Sequence, residues 1–319
     1  MKLIVRTLAV LTLASSAAAL AQSYPTGPIT MVVPFAAGSG TDAVARIVAK
    51  RLGERLKQPV LVDDKAGASA QIGAQYVAKA KPDGYTLLMT TNTSHSANPS
   101  LFKNLKYDPI QDFTPITRVG ELPFALLVNA SSPAKSLKVL IEHAKANPSK
   151  LSYATPNSTS LVASETINRI AGLEVLGIPY KSSPQALTDL IGGQVQMYVA
   201  DLGSSMGMLK GGNVRALGVT TKAPLKSLPN VPPIASAVPG FDLTSWNGIF
   251  GPAGMPKPVV DKLYTEILQV LAEKDVQEQL AQLGFETWPS KNPEEFAKYG
   301  DDQLPHWPNL TQQTCLRPD

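Results

Sequence analysis

From residue 29 onward, short apolar runs of strand type alternate with amphipathic runs of helix type, and this rhythm constrains the fold more than any other feature. Ile29 to Val33 is a brief apolar stretch stopped by Pro34, which reads as a buried strand. Between Asp42 and Lys57, Val44, Ile47, Val48, Leu52 and Leu56 recur at near-helical spacing, with Arg46, Lys50 and Arg51 between them. That spacing predicts a helix, with Asp42 as its N-cap or first-turn acid. Val60 to Val62 (strand), Ile72 to Ala80 (helix) and Tyr85 to Thr90 (strand) complete a first βαβαβ unit. A second unit runs Phe124 to Val128, Leu137 to Ala146, Leu151 to Ala154, Ser160 to Ala171, Val175 to Ile178, Pro184 to Ile191, Val195 to Val199, Ser204 to Leu209 and Val214 to Thr220. Pro224 to Pro239 reads as a connecting stretch. After it come a strand at Gly248 to Phe250 and helices at Pro258 to Ala272, Asp275 to Leu283 and Pro293 to Tyr299. The pattern predicts an α/β protein whose mostly parallel sheets are flanked by helices.

The N-terminus carries Lys2 and Arg6, then an uninterrupted apolar and small-residue run from Leu8 to Leu20, then Ala19-Leu20-Ala21. This is the arrangement of a secretory signal with cleavage after Ala21. The run falls short of the roughly 20 apolar residues a membrane span needs. Gln22 rather than a lipid-accepting Cys follows the cleavage site, and no Arg-Arg pair precedes the run. Export to a bacterial periplasm is therefore expected. Removing the signal leaves 27 basic against 25 acidic residues, too even for a nucleic-acid binder, which shows a basic stripe. Nearly 300 residues are then enough for two domains. The single Cys315 excludes an internal disulfide. Three histidines, His95, His143 and His306, without a Cys or carboxylate cluster give no dedicated metal site, and no cofactor is expected.

The segment Pro34 to Arg46, PFAAGSGTDAVAR, passes from strand through a small-residue loop into a helix. First-turn amides lack intrahelical partners and sit at the positive end of the helix dipole, so this loop can cradle an anion. Gly38 and Gly40 would let the backbone approach a ligand closely. The same segment fits the dinucleotide fingerprint G-x-G-x-x-A, with Asp63 and Asp64 about 20 residues on. Against that reading, Pro34 to Ala37 separate the strand from the first Gly. Lys65 to Ala74, KAGASAQIGA, repeats the theme after the second strand, and Thr90 to Ser100 adds Asn92, Thr93 and Ser94 at the same sheet edge. A lone His95 among Ser and Asn is more often a loop hydrogen-bonder than a catalytic base. There is no G-x-S-x-G elbow, no Walker lysine motif and no H-E-x-x-H, so an enzyme is not expected.

These motifs together resemble the solute-binding receptors of tripartite tricarboxylate transporters, the Bug-type receptors. The resemblance rests on Tyr24 to Arg46, Lys65 to Ala74, Pro82 to Phe102, Tyr107 to Thr117, Pro179 to Val195 and Trp246 to Val260, in order along the chain. It implies a two-lobed periplasmic binding protein of the Venus-flytrap type, with residues 22–124 and 237–319 as lobe 1 and 125–236 as lobe 2. It further implies a small carboxylate held between the lobes and delivered, on domain closure, to integral-membrane transporter subunits by a monomeric receptor. A chemosensory receptor without transport is the alternative.

By the same resemblance the first two loops hold the carboxylate through Phe35, Ala36, Gly38, Ser39, Thr41 and Asp42, and through Gly67, Ala68, Gln71 and Ile72. Asn92 adds a contact from the third loop. The second lobe offers Thr155, Ser158, Thr159, Tyr180 and Asp201. Several positions depart from the family pattern. Ser39 stands where a second Gly is usual, Asp64 for Asn, Ala70 for Gly, Leu161 for His and Ser182 for Gly. A commonly acidic position falls on Ala200, beside Asp201, and the Thr155 to Ser160 loop is about two residues short. The first-lobe clamp is therefore expected to be kept, and the second-lobe contacts to choose the ligand.

Overall fold

The computed structural model describes residues 24–305 together with 307 and 308. The signal segment, its cleavage site, His306 and Cys315 lie outside the described residues. The first unit runs β1 (Ile29–Val33), α1 (Gly40–Leu56), β2 (Val60–Asp64), α2 (Gln71–Ala78) and β3 (Thr86–Thr91). A π-helical turn (Thr93–Ala97) and a short helix α3 (Asn98–Leu101) lead on to β4 (Phe113–Glu121). The chain then enters a second unit: β5 (Phe124–Asn129), α4 (Leu137–Ala146), β6 (Ser152–Thr155), α5 (Ser158–Ala171), β7 (Leu176–Pro179), α6 (Ser183–Ile191), β8 (Met197–Asp201), α7 (Leu202–Lys210) and β9 (Val214–Val219). It returns through β10 (Trp246–Pro252), α8 (Lys257–Ala272), α9 (Lys274–Gln282), β11 (Glu286–Thr287) and α10 (Pro293–Gln303).

Two sheets result, ordered β11-β4-β10-β3-β1-β2 and β7-β6-β8-β5-β9. Both are mixed: most strands of each sheet point the same way, and β10 and β11 in the first and β5 in the second run against them. In the first, β1 runs parallel to β2 and β3, while β10 runs antiparallel to β3 and β4. In the second, β6 is parallel to β7 and β8, and β5 is antiparallel to β8 and β9. The reason is topological. β1, β3 and β4 in the first sheet, and β6, β8 and β9 in the second, end at the edge between the sheets. β5 and β10 instead arrive directly from the other sheet, so they begin at that edge and run the opposite way.

Strand β4 has no apolar run to announce it, because Thr114, Pro115, Thr117 and Arg118 interrupt the pattern. Pro115 is tolerated at a register shift opposite Phe250. Arg118 is buried because its guanidinium stacks 3.5 Å over the Trp288 ring and its Nε donates to the Trp288 carbonyl at 2.9 Å. Helix starts are set by side-chain caps. Ser39 accepts from the Asp42 amide, Ser136 from Val139, Asn157 from Ser160, Ser182 from Gln185 and Asp201 from Ser204. Because Asn157 is the cap, α5 begins two residues before the expected Ser160.

The central strands are apolar on both faces, as strands covered by helices must be. Met31, Val33, Leu87 and Met89 meet Val48, Leu52, Leu263 and Ile267 on one face of the first sheet, while Val32, Leu88 and Phe250 pack with Trp246 and Phe296 on the other. In the second sheet Leu126, Val128 and Val199 face one cluster, and Leu127, Tyr198 and Ala200 the other. Val238, Phe241 and Leu243 also pack with the second sheet, so the chain lies on that side almost up to β10. Leu263 is fully buried between α1 and the sheet. Leu263→Ala should lower unfolding stability by about 2–5 kcal/mol, read as a fall in the urea midpoint at unchanged slope.

Candidate functional site

The starts of four helices converge where the two sheets meet. α1 contributes Ser39, Gly40 and Thr41, α5 contributes Asn157 and Thr159, α6 contributes Ser183, and α7 is capped by Asp201. They surround a narrow cleft that Phe35, Thr91 and Thr93 of the first lobe also line. Leu122, Phe124 and Ser245, on the two crossings, complete it. No Lys or Arg lines this space, and its one formal charge is Asp201. An anion there would be met by peptide dipoles at the helix starts and by no cationic side chain.

The lobes approach each other closely at two glycines. A Cβ on Gly203 would lie 2.5 Å from the Gly40 Cα, and one on Gly40 would lie 2.9 Å from Leu122 Cδ2 and clash with the Asp201 carboxylate. Asp201 thus sits between the starts of α1 and α7. Burial raises its pKa. The Ser204 amide and hydroxyl, the Ser183 hydroxyl and the Gly40 amide hold the pKa back by hydrogen-bonding the ionised form. The Ser204 amide donates to Oδ1 at 2.8 Å.

Two further bonds join the lobes. Asn92 Nδ2 donates to Thr159 Oγ1 at 3.2 Å, and Ser158 Oγ donates to Asn98 Oδ1 at 3.1 Å. Both asparagines are anchored behind, Asn92 by the Ser245 hydroxyl at 2.6 Å and Asn98 by donating to the Ser69 carbonyl at 2.7 Å.

Of the residues singled out in the sequence, Phe35, Ser39, Thr41, Thr159 and Asp201 line the cleft. Asn92 and Ser158 bridge the lobes. Ala36 and Gly38 shape the turn: the Ser39 amide donates to the Ala36 carbonyl at 3.0 Å, and Gly38, at φ 81°, donates to Asp42 Oδ2 at 2.8 Å. Asp42 therefore satisfies its own loop. Gly67, Ala68, Gln71 and Ile72 stand outside the cleft lining. Their loop carries positive φ at Gly67, Ala68, Ser69 and Ala70 in succession, a strained run held by Asn98. Gln71 donates back to the Ala68 carbonyl at 3.1 Å, and Ile72 is half exposed. Thr155 donates to the Ile178 carbonyl at 3.2 Å and Tyr180 to Asp189 at 2.9 Å, both away from the cleft. Leu122, Phe124 and Ser245 escaped the sequence reading because nothing local marks them. Only the crossings place them. Ala200 is buried in an apolar cluster, so the acid of this edge is Asp201. His95 is also outside the cleft, buried against Phe250.

A polar cleft between two α/β sheets, joined by two crossings and ringed by helix starts, defines a periplasmic binding protein of the solute-receptor class. The chain belongs to the tripartite tricarboxylate transporter family receptors, whose sequence profile matches residues 44–316. That is a family of solute-binding receptors, not of enzymes. Among solved structures, the periplasmic binding protein BugD is 35% identical with a TM-score of 0.88, covering 93% of this chain and 100% of that one. A Rhodopseudomonas palustris protein, Rpa4515 with adipate, is 33% identical with a TM-score of 0.90 over 93% of this chain and 100% of that one. MatC from the same organism, with bound malate, is 30% identical with a TM-score of 0.85 over 90% and 99%. The dinucleotide reading falls with this membership, and the acid it needed is already engaged: Arg46 pairs with both Asp42 and Asp64 at 2.7 Å.

Burial, then the neighbouring Asp42 charge, pushes Asp64 up from 3.8 to about 6 against the pull of Arg46. The folded state thus holds a proton between about pH 4 and 6 that the unfolded chain has released, so this group makes stability fall as pH rises through that window. Asp64→Asn should remove that contribution, so that the melting temperature of the variant falls less than the wild type's between pH 4 and 6. Parallel melting curves for the two proteins would show the expectation wrong.

Proposed function

We propose that this protein captures a small carboxylate in the cleft between its lobes, closes on it, and presents the closed form to a membrane transporter of the tripartite tricarboxylate type. In this reading it works as a monomer in the periplasm, after loss of the segment ending at Ala21. The lobes of the proposal are residues 22–124 with 237–319, and 125–236. The observation that carries the reading is the convergence of four helix starts on a space lined by no cationic side chain. Partly positive amides favour an anion without a fixed counter-charge that would slow release. The adipate and malate held by the two R. palustris relatives support a carboxylate of similar size.

Within this proposal the α1 start, with Ser39 and Thr41, receives one carboxylate beside Asp201. The Gly67 to Ile72 loop supplies outer amides, reached through Asn98 and Ser158. Asn92, Ser158 and Thr159, which meet across the lobes, select the ligand. The Asn92–Thr159 and Ser158–Asn98 bonds join the two lobes, so a ligand that strengthens them would shift the population toward closure.

Calorimetry of the purified protein against a panel of small dicarboxylates, adipate and malate among them, tests the reading. A saturable one-to-one heat for at least one member is expected. Gly40→Ala, which wedges a methyl between α1 and Asp201, should weaken that binding at least tenfold, about 1.4 kcal/mol, while the melting temperature stays near that of the wild type. Wild-type affinity in this variant, or no binding by any carboxylate, would sink the assignment.

A further inference from the structure

We propose that the first lobe carries a second ligand site, separate from the cleft, that takes a small uncharged aromatic hydroxyl compound of the phenol class. The site is a cavity beside the π-helical turn, walled by Ile110, Phe113, Phe250 and Phe296, with His95 and Trp246 in its lining. Its walls offer ring edges and faces to a planar guest.

Two unmade hydrogen bonds point to a ligand. His95 Nε2 and Trp246 Nε1 are buried, and among the described residues neither has a partner. His95 is 4% exposed and Trp246 1%. Leaving such atoms unpaired is costly, and native interiors seldom do it without a reason. His95 cannot swing out to find water. Its Nδ1 is bonded to Ser94 Oγ at 2.9 Å, and its ring stacks on Phe250 with centroids 4.1 Å apart. The turn that presents it, Thr93–Ala97, is π-helical, a geometry frequent at functional sites.

The polarity of these atoms selects the guest. The indole can only donate. Burial holds His95 down to about 3, so the imidazole is neutral. Ser94 Oγ lies 2.6 Å from Thr90 Oγ1 as well as bonding the imidazole. If Ser94 gives its proton to Thr90 or to the Thr91 carbonyl, His95 Nδ1 donates to Ser94 and Nε2 accepts; if Ser94 gives it to Nδ1, Nε2 donates. A hydroxyl both donates and accepts, so it matches the indole and either form of the imidazole. A carboxylate does not suit the cavity: its lining holds Asp301 and no Lys or Arg, and, unlike the cleft, it is not ringed by helix starts whose dipoles would offset an anion's charge. The two sites therefore differ in charge preference, and this one does not depend on what the cleft binds.

The test follows the Trp246 indole N–H by proton–nitrogen NMR on the full protein, assigned by its disappearance in Trp246→Phe. Phenol is expected to move the resonance downfield saturably, as a hydrogen bond forms. Toluene, equal in shape but without the hydroxyl, should give no downfield shift, and adipate should leave the signal in place. His95→Phe should weaken phenol at least fivefold and leave toluene unaffected. An indole signal indifferent to millimolar phenol would overturn the proposal. So would identical responses to phenol and toluene, or undiminished phenol binding in His95→Phe. If that variant does not fold, the phenol and toluene titrations of the wild type decide by themselves.

Discussion

The arrangement depends on one carboxylate set between two helix starts. α1 belongs to the first lobe and α7 to the second, and their N-termini meet nearly end to end at Gly40 and Gly203. Two positive helix ends brought together in a buried space repel each other. Asp201 answers both at once: it caps α7 through the Ser204 amide and accepts from the Gly40 amide of α1. The cost appears in its raised pKa, because burial works against the charge that the two helices require. Without a small residue at position 40 the carboxylate could not come so close.

Strand direction puts the helix starts at that edge. β6 and β8 end there, so the helices that follow them begin there, and β1 does the same for α1 through the Phe35 to Ser39 turn. β5 and β10 enter from the other lobe and lay Phe124 and Ser245 along the same edge. The antiparallel pairings are thus the record of a chain that crosses twice. A ring of dipoles around a space without lysine or arginine follows from this geometry, whatever anion enters it.

Most elements were legible in the sequence because their signals are local: apolar runs for buried strands, 3.6-residue spacing for α1 and α8, and capping residues such as Ser136 before α4. Where the reading failed, a tertiary contact had replaced the local signal. β4 hides behind Pro115 and Arg118, and Arg118 is buried only because Trp288, 170 residues away, supplies a ring and a carbonyl. The π-helical turn looked like a loop of small polar residues, since nothing in Thr93 to Ala97 announces that His95 would be packed against Phe250.

The candidate site divides in the same way. The sequence by itself determined the family, the two α/β units and the small-residue turn before α1, because glycine spacing and helix capping act within a few residues. Only the tertiary structure decided that Asp201 rather than the loop at Gly67 faces the start of α1, and that Leu122, Phe124 and Ser245 join the cleft. The reason is physical: a helix dipole is written in its own segment, but the partner that neutralises it is chosen by how two lobes pack.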